Sequence, residues 1–232
     1  MKELNVKSDD ESQWLPISDL MSVLMMVFLL IAVSYMLKVY QEKAKIEEVA
    51  ITYNKLQNEL YKDISNEFSE DLKKWNAEID KTSLSVRFKA PEILFSMGSA
   101  RIKPDFKIIL SDFFPRFTKI LYSNKYKNEI EEIRIEGHTS SYWTEKTSED
   151  IAYIYNMELS QDRTRNVLQF ILSIENEKEK NIWLKQNVTA NGLSSSKLIY
   201  DENGIQNREL SRRVEFRVKT NAEKRIAKIL NQ

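Results

Sequence analysis

The sequence of 232 residues predicts an α+β protein with one N-terminal transmembrane helix, a helical coiled-coil linker and an α/β sandwich, a mixed sheet with helices on one face. Three observations lead to this prediction. A single long apolar run lies near the start, a charged stretch without Gly or Pro follows it, and the remainder alternates between strand and helix periodicity. The predicted boundaries are a tail at 1–14, the transmembrane helix at 15–38, the linker at 39–82, the folded domain at 83–221 and a second tail at 222–232.

The apolar run lies between Trp14 and Leu37, and it contains no charged residue from Leu20 to Leu37. A helix over residues 15–37 would be about 34 Å long, which is enough to cross the hydrocarbon core of a bilayer. The run is too long for the core of a signal peptide, and the residues before it are acid-rich rather than basic. We therefore predict an anchor that is not cleaved.

Asp19 is an ionisable residue just inside this apolar run. An acid at the centre of a span costs about 2.5–3.5 kcal/mol and less near its ends, so an intramembrane carboxylate commonly has a function. Ser22 lies on the same helical face, which makes Asp19 and Ser22 candidate ion-carrying residues. The alternative is that Asp19, which follows Pro16 and Ser18, is a helix-start acid at the headgroups.

The linker has apolar residues at helical spacing. The first five step by three and four residues, as in a heptad seam, and later steps of four relax a left-handed supercoil. The full series is Ile46, Val49, Tyr53, Leu56, Leu60, Ile64, Phe68, Leu72, Trp75 and Ile79. The pattern predicts a parallel homodimer through this seam. The alternative is that the helix packs on the chain's own C-terminal domain.

The rest of the chain alternates between two periods, and each segment is assigned from its apolar spacing. The predicted elements are a strand through Leu84, Val86 and Phe88, a helix from Pro104 to Leu121, a strand at Glu129–Glu136, a helix at Thr147–Leu172 with a charged helical extension at Glu175–Gln186, and strands at Asn187–Gly192 and Arg213–Lys219. We expect Pro115 to kink or end its helix. We expect the charged run from Glu175 to Lys180 to be a solvated face.

Composition excludes several classes of function. Thirty-five acidic residues balance thirty-five basic ones, which argues against nucleic acid as a partner. There is no Cys, and His138 is the single His, so a thiol site, a His-based metal site and a His-dependent catalytic triad are not expected. We predict no catalytic residues, no bound metal and no cofactor, and a protein that is not an enzyme.

Four motifs in the C-terminal part occur in the order typical of OmpA-like peptidoglycan-binding domains. They are Leu94-Phe95-Ser96-Met97-Gly98-Ser99-Ala100, Ile135-Glu136-Gly137-His138-Thr139, Asn156-x-x-Leu159-Ser160-x-x-Arg163, and Asn207–Phe216 with Arg212-Arg213-Val214-Glu215. The resemblance implies binding of the peptide stem of the cell wall, with Arg163 holding a stem carboxylate. The implied peptidoglycan-binding residues are His138, Thr139, Tyr155, Asn156, Leu159, Arg163 and Arg212.

Simpler roles remain open for these residues: a solvated cation for Arg163, a loop or core position for His138, a turn for Gly137, and braces of the last strand for Arg212 and Arg213. The sequence also departs from the family. Ser140 stands where the usual Gly-His-Thr-Asp motif has an acid. The loop up to Tyr155 is longer than usual, and its aromatic residues could contact the wall or cover the sheet edge; they are Tyr142, Trp143, Tyr153 and Tyr155.

The segment from Pro16 to Ser22 resembles the span of MotB-like stator subunits, and its fit is closest to the MotB-like component of Zorya anti-phage defence systems. The resemblance implies a homodimer in the inner membrane, a ring of MotA-like multi-span subunits around it, and cytoplasmic defence effectors as indirect partners. Charge bias is a weak signal of topology: two Lys residues precede the span and three follow it, which mildly favours the reverse orientation. We predict a cytoplasmic N-terminus because the C-terminal domain resembles one that works in the periplasm. The alternatives are a flagellar stator subunit and a passive tether between membrane and wall.

Overall fold

The structure, a computed structural model, describes residues 11–89 and 91–221. The predicted C-terminal tail and most of the N-terminal tail lie outside the described residues. The helices are α1 Glu11–Phe68, α2 Asp71–Lys74, α3 Pro91–Leu94, α4 Pro104–Leu121, α5 Glu149–Ile174, α6 Lys178–Asn187 and α7 Arg208–Ser211. The strands are β1 Ala77–Asp80, β2 Ser85–Phe88, β3 Ile130–His138, β4 Val188–Gly192 and β5 Arg213–Thr220.

The chain divides into two compact units, the first of which ends at Ile51 and the second of which begins at Thr52, within α1. In the first unit, the large apolar side chains between Leu20 and Leu37 are 45–70 % exposed. Among the described residues, α1 is the one helix that is long and apolar enough to cross a membrane, with an 18-residue window of mean hydropathy 2.5. This apolar helix and the α+β domain that follows it confirm the predicted fold class.

The C-terminal end of α1 belongs to the second unit and is buried in its core. Leu60, Ile64 and Phe68 are 0–1 % exposed, and Leu56 packs against the same core. The Phe68 ring lies 5.2 Å from that of Phe113. The predicted dimer seam is therefore wrong at Leu60, where the alternative holds. Steps of four residues form a stripe along the helix, and here the chain's own domain covers it.

Polar contacts at the edges of this stripe tie α1 to the domain. Asp63 Oδ2 accepts hydrogen bonds from the Tyr126 hydroxyl at 2.6 Å and from Lys125 Nζ at 3.1 Å. Arg116 on α4 donates to Glu67 Oε1 at 2.7 Å and to Asp71 Oδ2 at 2.9 Å. We call these two groups of contacts the clasp.

The predicted linker boundary at residue 82 is also wrong, because the sheet begins inside it. Strand β1 pairs antiparallel with β2 through Ala77 to Asp80. Asp80 Oδ1 accepts the backbone N–H groups of Thr82 and Ser83, and Leu84 has φ 49°, so the chain turns tightly between the strands. Ile79 sits at helical spacing in the sequence but on a strand in the structure.

The five strands form one mixed sheet in the order β1-β2-β5-β3-β4, in which β3 and β4 are parallel and the other pairs antiparallel. On β5, Val214, Phe216 and Val218 alternate with Arg213, Glu215 and Arg217. The Phe216 ring packs at 5.1–6.4 Å against rings of β2 and α4, which are those of Phe88, Phe113, Phe114 and Phe117. One face of the sheet is therefore apolar and covered by α4, while charged residues project from the other.

Two predictions about helices can be compared with the structure. Pro115 does not end its helix, because α4 continues through it to Leu121, and the Thr118 hydroxyl just after it donates to the carbonyl of Phe114 at 2.9 Å. The predicted extension at Glu175–Gln186 is a separate helix, since α5 ends at Ile174 and α6 begins at Lys178. Its charges are not all solvated: Lys180 Nζ lies 2.9 Å from Glu175 Oε2, and both side chains are about nine-tenths buried.

Candidate functional site

The four motifs of the C-terminal domain meet at one cleft. Strands β3 and β5 run antiparallel and pair His138 with Arg213, so the end of one motif lies beside the start of another. Helix α5 and the loop after α3 complete the walls. The lining residues are Leu94, Phe95, Gly137, His138, Arg163, Arg212, Arg213 and Val214. Of the predicted site residues, His138, Arg163 and Arg212 therefore come together, while Thr139, Tyr155, Asn156 and Leu159 lie outside this lining.

Two glycines let α5 approach the sheet closely enough to form the cleft. A Cβ on Gly137 would lie 2.7 Å from Thr164 Cγ2 and 2.9 Å from the Ser160 carbonyl oxygen. A Cβ on Gly192 would lie 2.3 Å from the Gln161 backbone nitrogen. The role of Gly137 is therefore close approach of helix and strand, and the predicted role in a turn is wrong.

Arg163 projects from α5 into the cleft, where backbone carbonyls and an aromatic ring hold it. Its Nε donates to the Ser99 carbonyl at 2.9 Å, its Nη2 donates to the Ser96 carbonyl at 3.3 Å, and the guanidinium lies 4.9 Å from the centre of the Phe95 ring. Within the described part of the chain, no carboxylate lies within ion-pair distance of Arg163. Burial, with a smaller contribution from the positive charge of Arg212, lowers the pKa of Arg163 to about 10. Arg163 is thus a half-buried cation held by backbone carbonyls, and it has no acidic partner among the described residues.

Arg212 and Arg213 are neighbours in sequence with different surroundings. Arg213 is a brace of the last strand: its Nε donates to Glu215 Oε1 at 2.6 Å, and its Nη1 donates to the carbonyls of Lys197 and Ser211, each at 3.1 Å. Arg212 Nε donates to the Arg208 carbonyl at 3.2 Å. No ion pair of Arg212 is found among the described residues. Arg163 and Arg212 therefore give the cleft positive charge that a ligand with a carboxylate would neutralise.

His138 belongs to a buried charge cluster that the sequence patterns did not reveal. Its Nε2 lies 3.7 Å from both Glu136 Oε2 and Glu215 Oε1, and neither ring nitrogen has a hydrogen-bond partner among the described residues. Burial raises the pKa of Glu215, but the positive charges of Arg213 and Arg87 outweigh it and hold that pKa below its usual value. The cluster arises from the cross-strand pairs Arg87–Glu215 and Glu136–Glu215. These pairs can be recognised only when the register of the sheet is known.

The side chains of Glu136, His138 and Glu215 offer ligand atoms within 4.8 Å of one another, which is the spacing of a metal site. The donor set does not fit a cation. Glu215 Oε1 already accepts hydrogen bonds from Arg213 at 2.6 Å and Arg87 at 2.9 Å, so two guanidinium groups would oppose a metal ion. The cluster is better described as an ion-pair network within the sheet.

The remaining predicted wall-binding residues lie outside the lining of the cleft. Thr139 is 3 % exposed; its backbone N–H donates to the Ser194 carbonyl at 2.9 Å, and its hydroxyl has no hydrogen-bond partner among the described residues. Asn156 is 3 % exposed, and its Nδ2 donates to the Tyr142 carbonyl at 3.4 Å. Leu159 is half-buried, whereas Tyr155 is 45 % exposed and its ring lies 5.3 Å from that of Trp143.

Asp19 and Ser22 lie on the exposed apolar part of α1. The Ser22 hydroxyl donates to the Ser18 carbonyl at 2.8 Å, four residues earlier, rather than to the carboxylate of Asp19. Asp19 is therefore an exposed carboxyl group at the beginning of an uncharged helical stretch.

These features define an OmpA domain attached to a helix of membrane-spanning character, and the model of the OmpA family matches residues 94–212. The chain belongs to the ZorB family. It is 49 % identical over 231 residues to the Zorya protein ZorB of Escherichia coli strain Crooks, covering 100 % of this chain and 97 % of that protein. A second Zorya protein ZorB, from Escherichia coli O139:H28 strain E24377A, is 25 % identical over 91 % of this chain and 82 % of its own length.

Two solved structures also align with the chain. One is a putative MotB-like protein from Desulfovibrio vulgaris, with a TM-score of 0.49, 20 % identity and coverage of 75 % of this chain and 94 % of that one. The other is the cell wall anchor of the T6SS from Pseudomonas aeruginosa, with a TM-score of 0.45, 18 % identity and coverage of 68 % and 96 %.

Proposed function

We propose that this protein is the wall-anchored subunit of a proton-driven motor in the inner membrane that serves anti-phage defence. Its role is mechanical, not catalytic. The observation that carries the proposal is the pairing of two features in one chain. One is an ionisable carboxyl group, Asp19, on a long apolar helix. The other is a cleft in an OmpA domain lined by Arg163, a half-buried cation with no ion pair among the described residues. Membership of the ZorB family, whose named members are Zorya proteins, supports the defence role.

The wall half of the function is the capture of a peptide-stem carboxylate by Arg163 in the cleft. A guanidinium offers a planar pair of N–H donors to a carboxylate. Arg163 uses its Nε–H and one N–H of Nη2 for backbone carbonyls, which leaves the other N–H of Nη2 and both N–H groups of Nη1 for a ligand. Arg212 adds a second positive charge, as its contribution to the pKa of Arg163 indicates. The peptidoglycan lies in the periplasm, so this domain is periplasmic and the N-terminus cytoplasmic in the proposed topology.

The membrane half is proton transfer by Asp19. When it is charged, the carboxylate needs water or hydroxyl groups around it. When it is protonated and neutral, it can lie against apolar side chains. Protonation of Asp19 therefore changes which surface of a partner it prefers. A ring of MotA-like multi-span subunits would supply that partner surface. Repeated protonation and release would then rotate the ring relative to the anchored chain as a stepwise shift of populations. Cytoplasmic defence effectors would be reached through the ring, not through this chain.

The chain acts as a homodimer in this proposal, joined through the part of the linker seam that the domain does not cover. Ile46 and Val49 are half-buried in the single chain and belong to the first unit, whereas Leu56 and Leu60 contact the domain core. The dimer contact is therefore shorter than the sequence pattern alone predicts.

Exchange of Asp19 for Asn tests the proposal. Asp19→Asn keeps the size of the side chain and removes its ability to exchange a proton. We expect normal amounts of protein in the membrane but loss of protection in a plaque assay on cells that carry the complete defence system. Glu42→Gln is the matched control, because Glu42 is an exposed acid on the same helix outside the apolar stretch. It should protect like the unaltered protein.

Protection by the Asp19→Asn variant equal to that of the control would make Asp19 a helix-start acid and the protein a passive tether. A flagellar stator subunit is the other alternative; it would restore swimming to cells that lack their own stator subunit and would give no phage protection.

A further inference from the structure

Exposed aromatic side chains lie in the long loop between β3 and α5 and at the start of α5, in the same domain as the proposed wall-binding cleft. Trp143 of this loop packs on Tyr155 of α5, with ring centroids 5.3 Å apart and ring planes tilted by 50°. Tyr155 is 45 % exposed and Tyr142 is 44 % exposed. We call Tyr142, Trp143 and Tyr155 the aromatic surface. These rings contribute little to the core, so their size and exposure call for a role outside it.

The rest of the domain holds this loop in place. The Asn156 side chain donates to the Tyr142 carbonyl, and the Ser141 hydroxyl donates to Gln206 Oε1 at 2.7 Å. The guanidinium of Arg208 lies 4.7 Å from the centre of the Tyr142 ring. A loop fixed at several points presents its rings in one arrangement, which lowers the entropic cost of binding a ligand there.

The distance between this surface and Arg163 is similar to the length of a short peptide stem attached to a sugar. Tyr155, Leu159 and Arg163 are spaced by four residues along α5, so they follow one side of the helix. Eight residues of helix separate Tyr155 from Arg163 by about 12 Å. Three extended peptide residues span about 10 Å. A stem whose carboxylate binds at Arg163 therefore reaches back to the aromatic surface at the point where it joins the glycan strand.

We propose that the aromatic surface binds the sugar rings of the peptidoglycan glycan strand, while the cleft binds the stem that hangs from the same strand. One face of a pyranose ring presents C–H groups that pack on an aromatic ring, and the Tyr hydroxyl groups can exchange hydrogen bonds with the sugar hydroxyls. This proposal rests on the proposed binding of the stem at Arg163. It assigns to the long loop a contact that the stem alone does not provide.

The test compares two soluble ligands with the full-length protein in detergent. The first is the disaccharide-peptide that a muramidase releases from sacculi. The second is the same peptide after an amidase has removed its sugars. We expect the double variant Trp143→Ala and Tyr155→Ala to bind the disaccharide-peptide about three- to ten-fold more weakly and the bare peptide with unchanged affinity. Arg163→Ala should weaken the binding of both ligands.

Two controls separate the possible failures. Tyr122→Ala disrupts a comparable ring pair, Tyr122 with Trp183 at 5.4 Å, on another part of the domain, and should leave both affinities unchanged. Trp143→Leu keeps an apolar side chain in the loop without an aromatic face, and it should reproduce the selective loss if the double variant does not fold. Equal loss for both ligands, or for neither, in the aromatic variants overturns the glycan proposal. Unchanged affinities with Arg163→Ala overturn the proposed stem binding instead.

Discussion

Helix α1 carries apolar side chains at both ends, and they meet different surroundings. Between Leu20 and Leu37 the large apolar side chains are 45–70 % exposed, whereas Leu60, Ile64 and Phe68 near the other end are 0–1 % exposed. The first stretch has no charges, while charged residues such as Asp63 and Glu67 flank the second. Apolar spacing alone therefore does not identify what covers a helix. A helix without charges around its whole circumference is expected to be covered by lipid, whereas a helix with one apolar stripe between charged residues is expected to pack on protein.

The largest expected effect comes from removing a side chain at the buried end. Leu60→Ala should lower the free energy of unfolding of the second unit by about 2–5 kcal/mol, because it leaves a cavity in a packed core. Leu30→Ala, in the exposed stretch, should leave that unfolding transition unchanged. Urea unfolding of the full chain in detergent, followed by tryptophan fluorescence, measures both. Equal sensitivity at the two positions would contradict the division of α1 into a lipid-facing and a core-facing part.

A smaller effect is expected from the clasp, and it depends on pH. The hydrogen bond from Tyr126 is the main cause that lowers the pKa of Asp63, with Lys125 contributing further. A carboxyl with a depressed pKa stabilises the fold above its unfolded value of about 3.9, and this stabilisation is lost as the pH falls through the folded value. Asp63 is partly exposed, so Asp63→Asn should cost only about 1 kcal/mol at pH 7.

The difference in stability between the unaltered protein and Asp63→Asn should start to shrink below about pH 4 and vanish below the folded pKa of Asp63, so that the two unfolding curves converge. Tyr126→Phe should cost a similar amount at neutral pH, since burial, the largest cause, raises the pKa of Tyr126 to about 12 and keeps its hydroxyl protonated. A gap between the two curves that stays constant from pH 7 to below pH 4 would show that Asp63 acts through packing and not through its charge.

The smallest effect on domain stability is expected just before the buried end, where the dimer contact is proposed. The double variant Ile46→Asp and Val49→Asp should leave the unfolding of the second unit unchanged but separate the two-chain species in detergent, as measured by light scattering. Ile51→Asp, at a side chain that is 68 % exposed, is the control and should remain dimeric. A two-chain species that persists in the double variant would place the dimer contact elsewhere.

Much of the fold followed from the sequence because periodicity reports burial directly. The strands β2, β3, β4 and β5 and the helices α4 and α5 lie where the spacing of apolar residues predicts them. Strand β1 was missed because Trp75 and Ile79 continue the helical spacing of the linker, and only the turn at Asp80 reveals a hairpin. The buried pair Glu175–Lys180 was missed because a charged run looks the same in sequence whether or not two of its members meet.

The candidate site was predictable to a similar degree. The motif residues Gly137, His138, Arg163 and Arg212, which the family resemblance singled out, line one cleft. Three features of the site were not predictable. They are the hydrogen bonds of Arg163 to two carbonyls, the close approach of α5 to Gly137, and the contact of His138 with Glu136 and Glu215. Each depends on which residues face one another across strands and helices, and that register is a property of the folded chain.

The carbonyl contacts of Arg163 have a consequence for how long the protein would stay attached to the wall. Two backbone carbonyls already hold the side chain in place before a ligand arrives, so little conformational freedom is lost on binding. Differences in affinity among related complexes appear mainly in the rate of dissociation. In the proposed motor, the attachment to the wall would be limited by its lifetime under load, and an arginine held in place before binding would lengthen that lifetime by slowing dissociation.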